Sequence, residues 1–425
     1  MDPIHGFINI SEYDIIEKLI ESKYFQRLRR LCQLGMTSAV YPSATHTRFS
    51  HCLGVMHVFL VLFDSLSRRS VTEIKDKNHK RKVGAIAALL HDIGHGPFSH
   101  ASESILSDGK FDHLEMTCKI ISETEISDNL RQNAIEPSLV CDILTHEVSE
   151  EWLLISQLVS SQLDADRLDY LLRDSYFTGV NYGKVDIHRI ANTLDIWTKN
   201  DLFSGTAVIN AKGISAIEDY ILGRYLMYRK VYFHKISRCM ELLLTKVFKR
   251  ASELENPALI DLIDIKNETS PELLYKIDDG VCLSLFHKWT NSEDHILKDL
   301  SLRILERGRL ASKQMSLSKY VRLGIEKLSQ LPRIVEESNF SKEYYFMEDA
   351  VEKSAYDIYM PQQIDDDGFS PITHIMTPNE ENKLEEISKH SKVITALTDK
   401  DLKITSIFFP EQTTKKIEEI IGKDK

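Results

Sequence analysis

Apolar residues recur at helical spacing along most of this chain. Ile15, Ile16, Leu19 and Ile20, then Phe25, Leu28 and Leu31, predict a helix within 11–34, with Gly35 as its C-cap. A second helix is expected over 49–66, and Val83 to Leu90 is an unbroken apolar run that reads as a buried helix. Another begins near Phe111 and ends near Glu123. Leu163, Leu168, Leu171 and Leu172 give one apolar side to a helix around 161–174, and Ser215 to Glu253 is strongly helical. Leu202 to Asn210 reads as a short strand or hairpin. From 254 the pattern changes: Asn256-Pro257 opens short helical segments at 258–265, 270–277, 281–289 and 293–310. Tyr344 to Met347 and Ile404 to Phe409 then read as strands, with Asp365 to Gly368 as a turn. The expected fold is mainly α. Residues 1–253 form one unit, and 254–425 a smaller α+β region for assembly or regulation.

Polar residues interrupt this pattern in a few places, and there the chemistry concentrates. His91-Asp92-Ile93-Gly94-His95-Gly96-Pro97-Phe98-Ser99-His100 follows the buried run directly. Gly94, Gly96 and Pro97 loosen or end the helix where three histidines and a carboxylate arrive. Such a mixed nitrogen and oxygen set suits a borderline metal, and a bound ion can activate water beside a phosphate. Arg48 and His51 stand three apart on the preceding helix, so an arginine faces the same way as a candidate ligand. His113 and Glu115 sit at a helix start, where a histidine near a carboxylate can serve in proton transfer. Asp166, Tyr170 and Asp174 fall at i, i+4 and i+8 and form one polar stripe, with Arg167 alongside. Arg224, Tyr228 and Tyr232 repeat that spacing before His234-Lys235, and Arg224 and Lys235 suit an anionic ligand. The basic residues of 67–82 read as a surface loop, and the locally basic face at Gln26, Arg27, Arg29 and Arg30 as a solvated helix side.

Composition narrows the class. The chain has 425 residues, 42% hydrophobic and 28% charged, as an ordinary globular protein does. A net charge of −11 argues against a general nucleic-acid binder, whose footprint would be basic. The six cysteines form no CxxC pair and read as reduced, buried thiols of an intracellular protein. No run approaches the ~20 apolar residues of a membrane span. Met1 to Gly6 does not read as a signal peptide. The expected compartment is therefore the cytoplasm.

Taken in order, several strings resemble one family. They are Asp2-Pro3-Ile4-His5-Gly6, Phe25-Gln26-Arg27-Leu28-Arg29, Gln33-Leu34-Gly35, Arg48-Phe49-Ser50-His51, the ten residues from His91, Asp166-Arg167-Leu168-Asp169-Tyr170 and Tyr232-Phe233-His234-Lys235. His51, His91-Asp92 and Asp166 match the H…HD…D pattern of the HD-domain metal-dependent phosphohydrolases. The longer strings resemble the branch of the sterile-alpha-motif and HD-domain dNTP triphosphohydrolase and its bacterial relatives. The resemblance covers roughly residues 1–250.

That resemblance implies an all-helical HD core and one divalent metal held by His51, His91, Asp92 and Asp166. It leaves Fe, Mn, Zn, Ni and Mg open, with Mg a candidate to accompany the nucleotide. It further implies attack of water on the α-phosphorus of a deoxynucleoside triphosphate, releasing deoxynucleoside and inorganic triphosphate. His95, His100 and His113 would lie around the phosphates. Arg48, Arg167, Arg224 and Lys235 would offset phosphate charge. Gln33, Leu34, Tyr170 and Asp174 would meet the sugar, and Tyr232 would crowd C2′. Gln26 and Arg29 match an activator-nucleotide site, with Glu21 where that site has an Asp. A homo-oligomer, dimer or tetramer, is implied too.

Two positions depart from the family. Leu114 follows His113 where the mammalian members have Glu, leaving Glu115 as the substitute, and Tyr228 replaces a base-contacting His. Leu114 keeps a second class of function open, a dNTP-binding sensor with little turnover. Within the enzyme class, another nucleotide phosphoester is the competing substrate. Gly94-His95 occupies the stretch where alarmone hydrolases carry an acidic pair, and the chain has no Gly-Tyr-Pro motif of the cyclic-dinucleotide enzymes.

Overall fold

The computed structural model describes residues 1–69, 74–99, 112–199, 201, 203–254, 270–353, 374–398 and 402–422. His100, the segment 258–265 and the turn at Asp365 to Gly368 lie outside them.

Three helices frame the centre of the molecule. Arg48–Arg69 packs against both Lys77–Leu90 and Ala165–Thr178. Val83 and Ala85 to Leu90 are all buried, as the unbroken apolar run requires. Ala165–Thr178 starts at Asp164, whose side chain accepts the Arg167 backbone N–H at 2.6 Å. It ends at Gly179, where φ is +75°. The Arg48–Arg69 helix is long and apolar enough to cross a membrane, contrary to the expectation that no such run exists. Two thirds of that apolar window, 67%, is buried in the fold, so the helix serves as a core element.

The expected helix at 11–34 is two. Asp14–Glu21 stops at Ser22, which is extended and caps Lys23–Arg27 through its hydroxyl. Both short helices bury their apolar sides, so one periodicity runs across the break. Gly35 does not cap a helix but opens the 3₁₀ turn Gly35–Ala39 at φ +48°. The 1–253 part also holds a two-stranded antiparallel ladder, Leu194–Ile196 with Ala207–Ile209, so it is not wholly helical.

Farther along, Leu402–Phe409 is the middle strand of a three-stranded antiparallel sheet, flanked by Ala311–Ser316 and Met347–Lys353. Tyr344 and Tyr345, expected in a strand, sit in the short helix Lys342–Tyr345. Their hydroxyls anchor there, Tyr345 donating to Asp299 at 2.7 Å and Tyr344 to Glu253. One continuous apolar core reaches from Ile15 to Ile421, so the two parts are packed together.

Candidate active site

The site forms where three helix ends meet. His51 lies in the first turn of Arg48–Arg69, His91 and Asp92 just past Leu90, and Asp166 in the first turn of Ala165–Thr178. His51, His91 and Asp92 each offer one ligand atom, all within 4.8 Å of one another. The Asp166 carboxylate lies 3.0 Å from His51 Nε2 and 3.6 Å from His91 Nε2.

The second nitrogen of each imidazole is already committed. His91 Nδ1 donates to the Ala88 carbonyl at 2.9 Å, and His51 Nδ1 donates to Asp169 at 2.8 Å. Each Nε2 is buried and faces the Asp166 carboxylate, with no backbone group among the described residues to hold it. Two imidazole nitrogens held open beside two carboxylates are the donor set of a divalent cation, and these residues fit one. Electrostatics agree. Burial opposes charge on His51, but Asp166 and Asp169 outweigh it and hold the imidazole at about 10. Burial likewise opposes charge on Asp92, and Arg48, His91 and His95 hold its carboxyl well below the usual range.

Asp169 went unread in the sequence, and it organises the site from behind. It accepts from His51, from His5 at 2.6 Å and from Arg173 at 2.8 and 2.9 Å. Arg173 also pairs with Asp2 at 2.8 Å. The Asp2 carboxylate accepts the backbone N–H groups of Ile4 and His5, which aims His5 inward. Gly54 leaves room for this cluster, because a Cβ there would lie 1.9 Å from the Asp169 carboxylate. The signal was available: His5 and Asp169 both stand inside strings that carried the family resemblance.

Arg48 links this cluster of candidate ligands to a cavity of about 270 Å³. It donates to Asp92 and, at 2.9 Å, to the Ser99 hydroxyl. Gln33, Leu34, Tyr170, Asp174, Tyr228 and Tyr232 line that cavity with it. Asp174 is fixed there, accepting from the Tyr232 hydroxyl at 2.7 Å and paired with His46 Nε2 at 2.8 Å. Tyr228 to Tyr232 form one π-helical turn, which turns both aromatic rings toward the cavity. Arg167 and Arg224 stand behind it, both donating to Gln162 Oε1, at 3.2 and 3.1 Å.

His95 stacks on His113 with ring centres 4.0 Å apart, and its Nε2 is 3.2 Å from Asp92. Burial and Arg48 push the His95 imidazole well below its ordinary value. Other expected residues stay apart. Glu115 points to solvent and pairs with Lys119 at 2.8 Å, because Asp112 caps the helix start and turns position 115 outward. Lys235 is exposed and does not line the cavity; Arg238, one turn on, does. Gln26 and Arg29 bond to each other at 2.8 Å, with Arg29 lying over the Phe49 ring, and line no part of the cavity.

The HD domain model matches residues 48–174, spanning every residue of the metal cluster, and the HD associated region model matches 185–423. The chain belongs to the HD-domain family. Similar proteins include the uncharacterized protein YwfO of Bacillus subtilis, 33% identical over 96% of this chain and 91% of the relative. The deoxynucleoside triphosphate triphosphohydrolase SAMHD1 homolog of Dictyostelium discoideum is 28% identical over 71% of this chain and 63% of its own length. Among solved structures, a phosphohydrolase of Bacteroides thetaiotaomicron superposes with a TM-score of 0.79. It shares 29% identity and covers 96% of this chain and 98% of its own. The HD-domain chain described here is thus of a phosphohydrolase family, with a candidate divalent-metal site at its centre.

Proposed function

We propose that this HD-domain protein hydrolyses deoxynucleoside triphosphates to deoxynucleoside and inorganic triphosphate by water attack on the α-phosphorus. The observation that carries this reading is the join at Arg48. One guanidinium touches the Asp92 carboxylate of the metal cluster and also lines a cavity furnished with Tyr170, Asp174 and Tyr232. A nucleotide whose sugar lies along those three side chains would bring its phosphates to the cluster.

A divalent ion held by His51, His91, Asp92 and Asp166 would supply Lewis acidity and a bound water of lowered pKa. Arg48, Arg167 and Arg224 offset charge that grows on the phosphate oxygens. His113, stacked on His95, takes part in proton transfer, and His95 lies beside the phosphates. His100 is assigned to the departing sugar oxygen. Tyr232, fixed by Asp174, crowds a ribose 2′-hydroxyl and favours the deoxy sugar.

The test is product analysis by phosphorus NMR and chromatography, with Mn²⁺ or Mg²⁺ and each dNTP and NTP singly and in pairs. Deoxynucleoside plus triphosphate is the expected result. Monophosphate or orthophosphate would overturn the substrate assignment while keeping the metal site. A second reading, a dNTP-binding sensor with little turnover, is favoured by Glu115 turning outward to Lys119. Tight metal-dependent binding without products would select it. The proposal includes a cytoplasmic homo-oligomer, dimer or tetramer, with an activator nucleotide at Gln26 and Arg29. Sedimentation with and without nucleotide tests the assembly.

A further inference from the structure

Away from the cavity, two cysteines that are remote in sequence come together. The helices His113–Glu123 and Pro137–Thr145 pack against each other and bring Cys118 to Cys141, 23 residues on. The two thiols are near enough to shift each other's ionisation. The Cys141 sulfur also lies 3.8 Å from the Cys118 carbonyl and 3.7 Å from the Ser122 hydroxyl. Both residues are half-buried, whereas Cys52, Cys239 and Cys282 are sealed in the core. The expectation of buried thiols therefore fails at this pair, whose contact is made by helix packing and not by sequence spacing.

The pair adjoins the turn that carries His91 and Asp92. Thr117, next to Cys118, accepts the Gly94 N–H at 3.0 Å, and its hydroxyl lies 3.4 Å from the His91 carbonyl. The helix that carries Cys118 thus buttresses the turn that presents His91 and Asp92.

We propose that Cys118 and Cys141 are an oxidisable dithiol, which a hydroperoxide converts to an intrachain disulfide that ties this buttressing helix to its neighbour. The roles of the two sulfurs differ. Contact with Cys118 lowers the Cys141 thiol against the effect of burial, and the Ser122 hydroxyl at 3.7 Å helps. The Cys118 thiol is raised by the same contact together with burial. The Cys141 thiolate is then the nucleophile. It attacks the terminal peroxide oxygen, the O–O bond breaks, and hydroxide or alkoxide leaves, giving a sulfenic acid. Cys118 loses its proton as its sulfur attacks the Cys141 sulfur, the S–O bond breaks, and water departs. Two thiols are oxidised by two electrons in all, and one peroxide is reduced.

The experiment exposes the purified full chain to hydrogen peroxide, alkylates the remaining thiols and maps peptides without reductant. The expected result is a Cys118–Cys141 linked peptide, lighter by two hydrogens and cleaved by dithiothreitol. A thermal midpoint higher than that of the reduced chain should accompany it, since a cross-link restricts the unfolded state. C118S and C141S should each abolish the linkage. Two outcomes overturn the proposal, and both are read on the unmutated chain. Either both thiols stay open to alkylation after peroxide, or Cys141 ends as a sulfinic acid while Cys118 remains a thiol.

Discussion

Asp169 Oδ2 lies 2.8 Å from His51 Nδ1, so a carboxylate that touches no ligand position fixes the imidazole that does. The same carboxylate pairs with His5 and Arg173, and all of it is out of solvent. Burial opposes its charge, and Arg173, His5 and His51 together hold it well below the usual carboxylate range. Replacing Asp169 by Asn keeps the shape but removes the acceptor charge and leaves Arg173 short of a partner. Metal affinity should fall about 10–100-fold, as for other residues that orient metal-binding histidines. Stability should fall by about 3–5 kcal/mol, the cost of unpairing a buried charge. Calorimetric metal titration and denaturant unfolding check the two numbers. Unchanged metal affinity in a folded D169N chain would remove Asp169 from the site.

This pair also marks what the sequence could reveal. His91 and Asp92 stood out as candidate ligands by their types at the end of a buried apolar run and His51 by its place beside Arg48, while Asp166 joined them through the family resemblance. Tyr170 and Asp174 were legible as a stripe at i+4 spacing. Asp169 was not, because it lies about 100° round the helix from Tyr170, on the packed flank of that stripe, where a carboxylate is ordinarily unwelcome. Glu115 was misplaced for a related reason: adjacency to His113 in sequence says nothing of where a cap turns the first helical residues. The break at Ser22 was hidden because two helices burying one side keep a single apolar rhythm.

Asp279 belongs to the C-terminal part yet holds two loops of the cavity. Its carboxylate accepts the Cys32 N–H at 2.8 Å and the Phe98 N–H at 2.9 Å. Phe98 and Ser99 both have positive φ, 55° and 58°, a conformation that needs outside support. Asp279→Ala leaves buried N–H groups without acceptors and should cost about 1–3 kcal/mol per group. The pH dependence has a definite sign. Burial raises the Asp279 carboxyl against the pull of those N–H groups. Its contribution is therefore full below the ordinary value of about 3.9 and is lost as pH rises through the raised folded value. Unfolding curves of the wild type and D279N across that window should show the wild-type advantage shrinking toward neutral pH. A constant difference would show that Asp279 does not titrate abnormally.

Gln162 keeps two cations together. Arg167 and Arg224 both donate to its Oε1, and the Tyr220 hydroxyl bonds its carbonyl at 2.6 Å. Two adjacent guanidinium groups repel unless a shared acceptor sits between them. Q162A removes two hydrogen bonds, each of about 0.5–1.5 kcal/mol. The KM for a nucleotide triphosphate should rise roughly 5- to 150-fold on that basis, with the metal affinity unchanged. Steady-state kinetics beside metal titration separates the two effects. An unaltered KM would show that the arginines need no such spacer.

Gly94 is where the HD turn meets the His113–Glu123 helix, and the approach is close enough to exclude any side chain. A Cβ at 94 would lie 2.3 Å from the Thr117 nitrogen and 2.4 Å from the His113 carbonyl, both backbone atoms that cannot rotate aside. The turn and the helix must therefore separate in Gly94→Ala. That movement breaks the Gly94 N–H bond to Thr117 and displaces His91 and Asp92 relative to His51. The expected cost is about 1–3 kcal/mol of overpacking. Weaker metal binding should follow, because the ligands on the turn move while those on the other two helices stay. Thermal unfolding with and without added Mn²⁺ reads both effects, and the upward shift on adding metal should be smaller in G94A than in the wild type. Equal shifts would mean that the cluster tolerates the displacement and that the glycine serves packing alone.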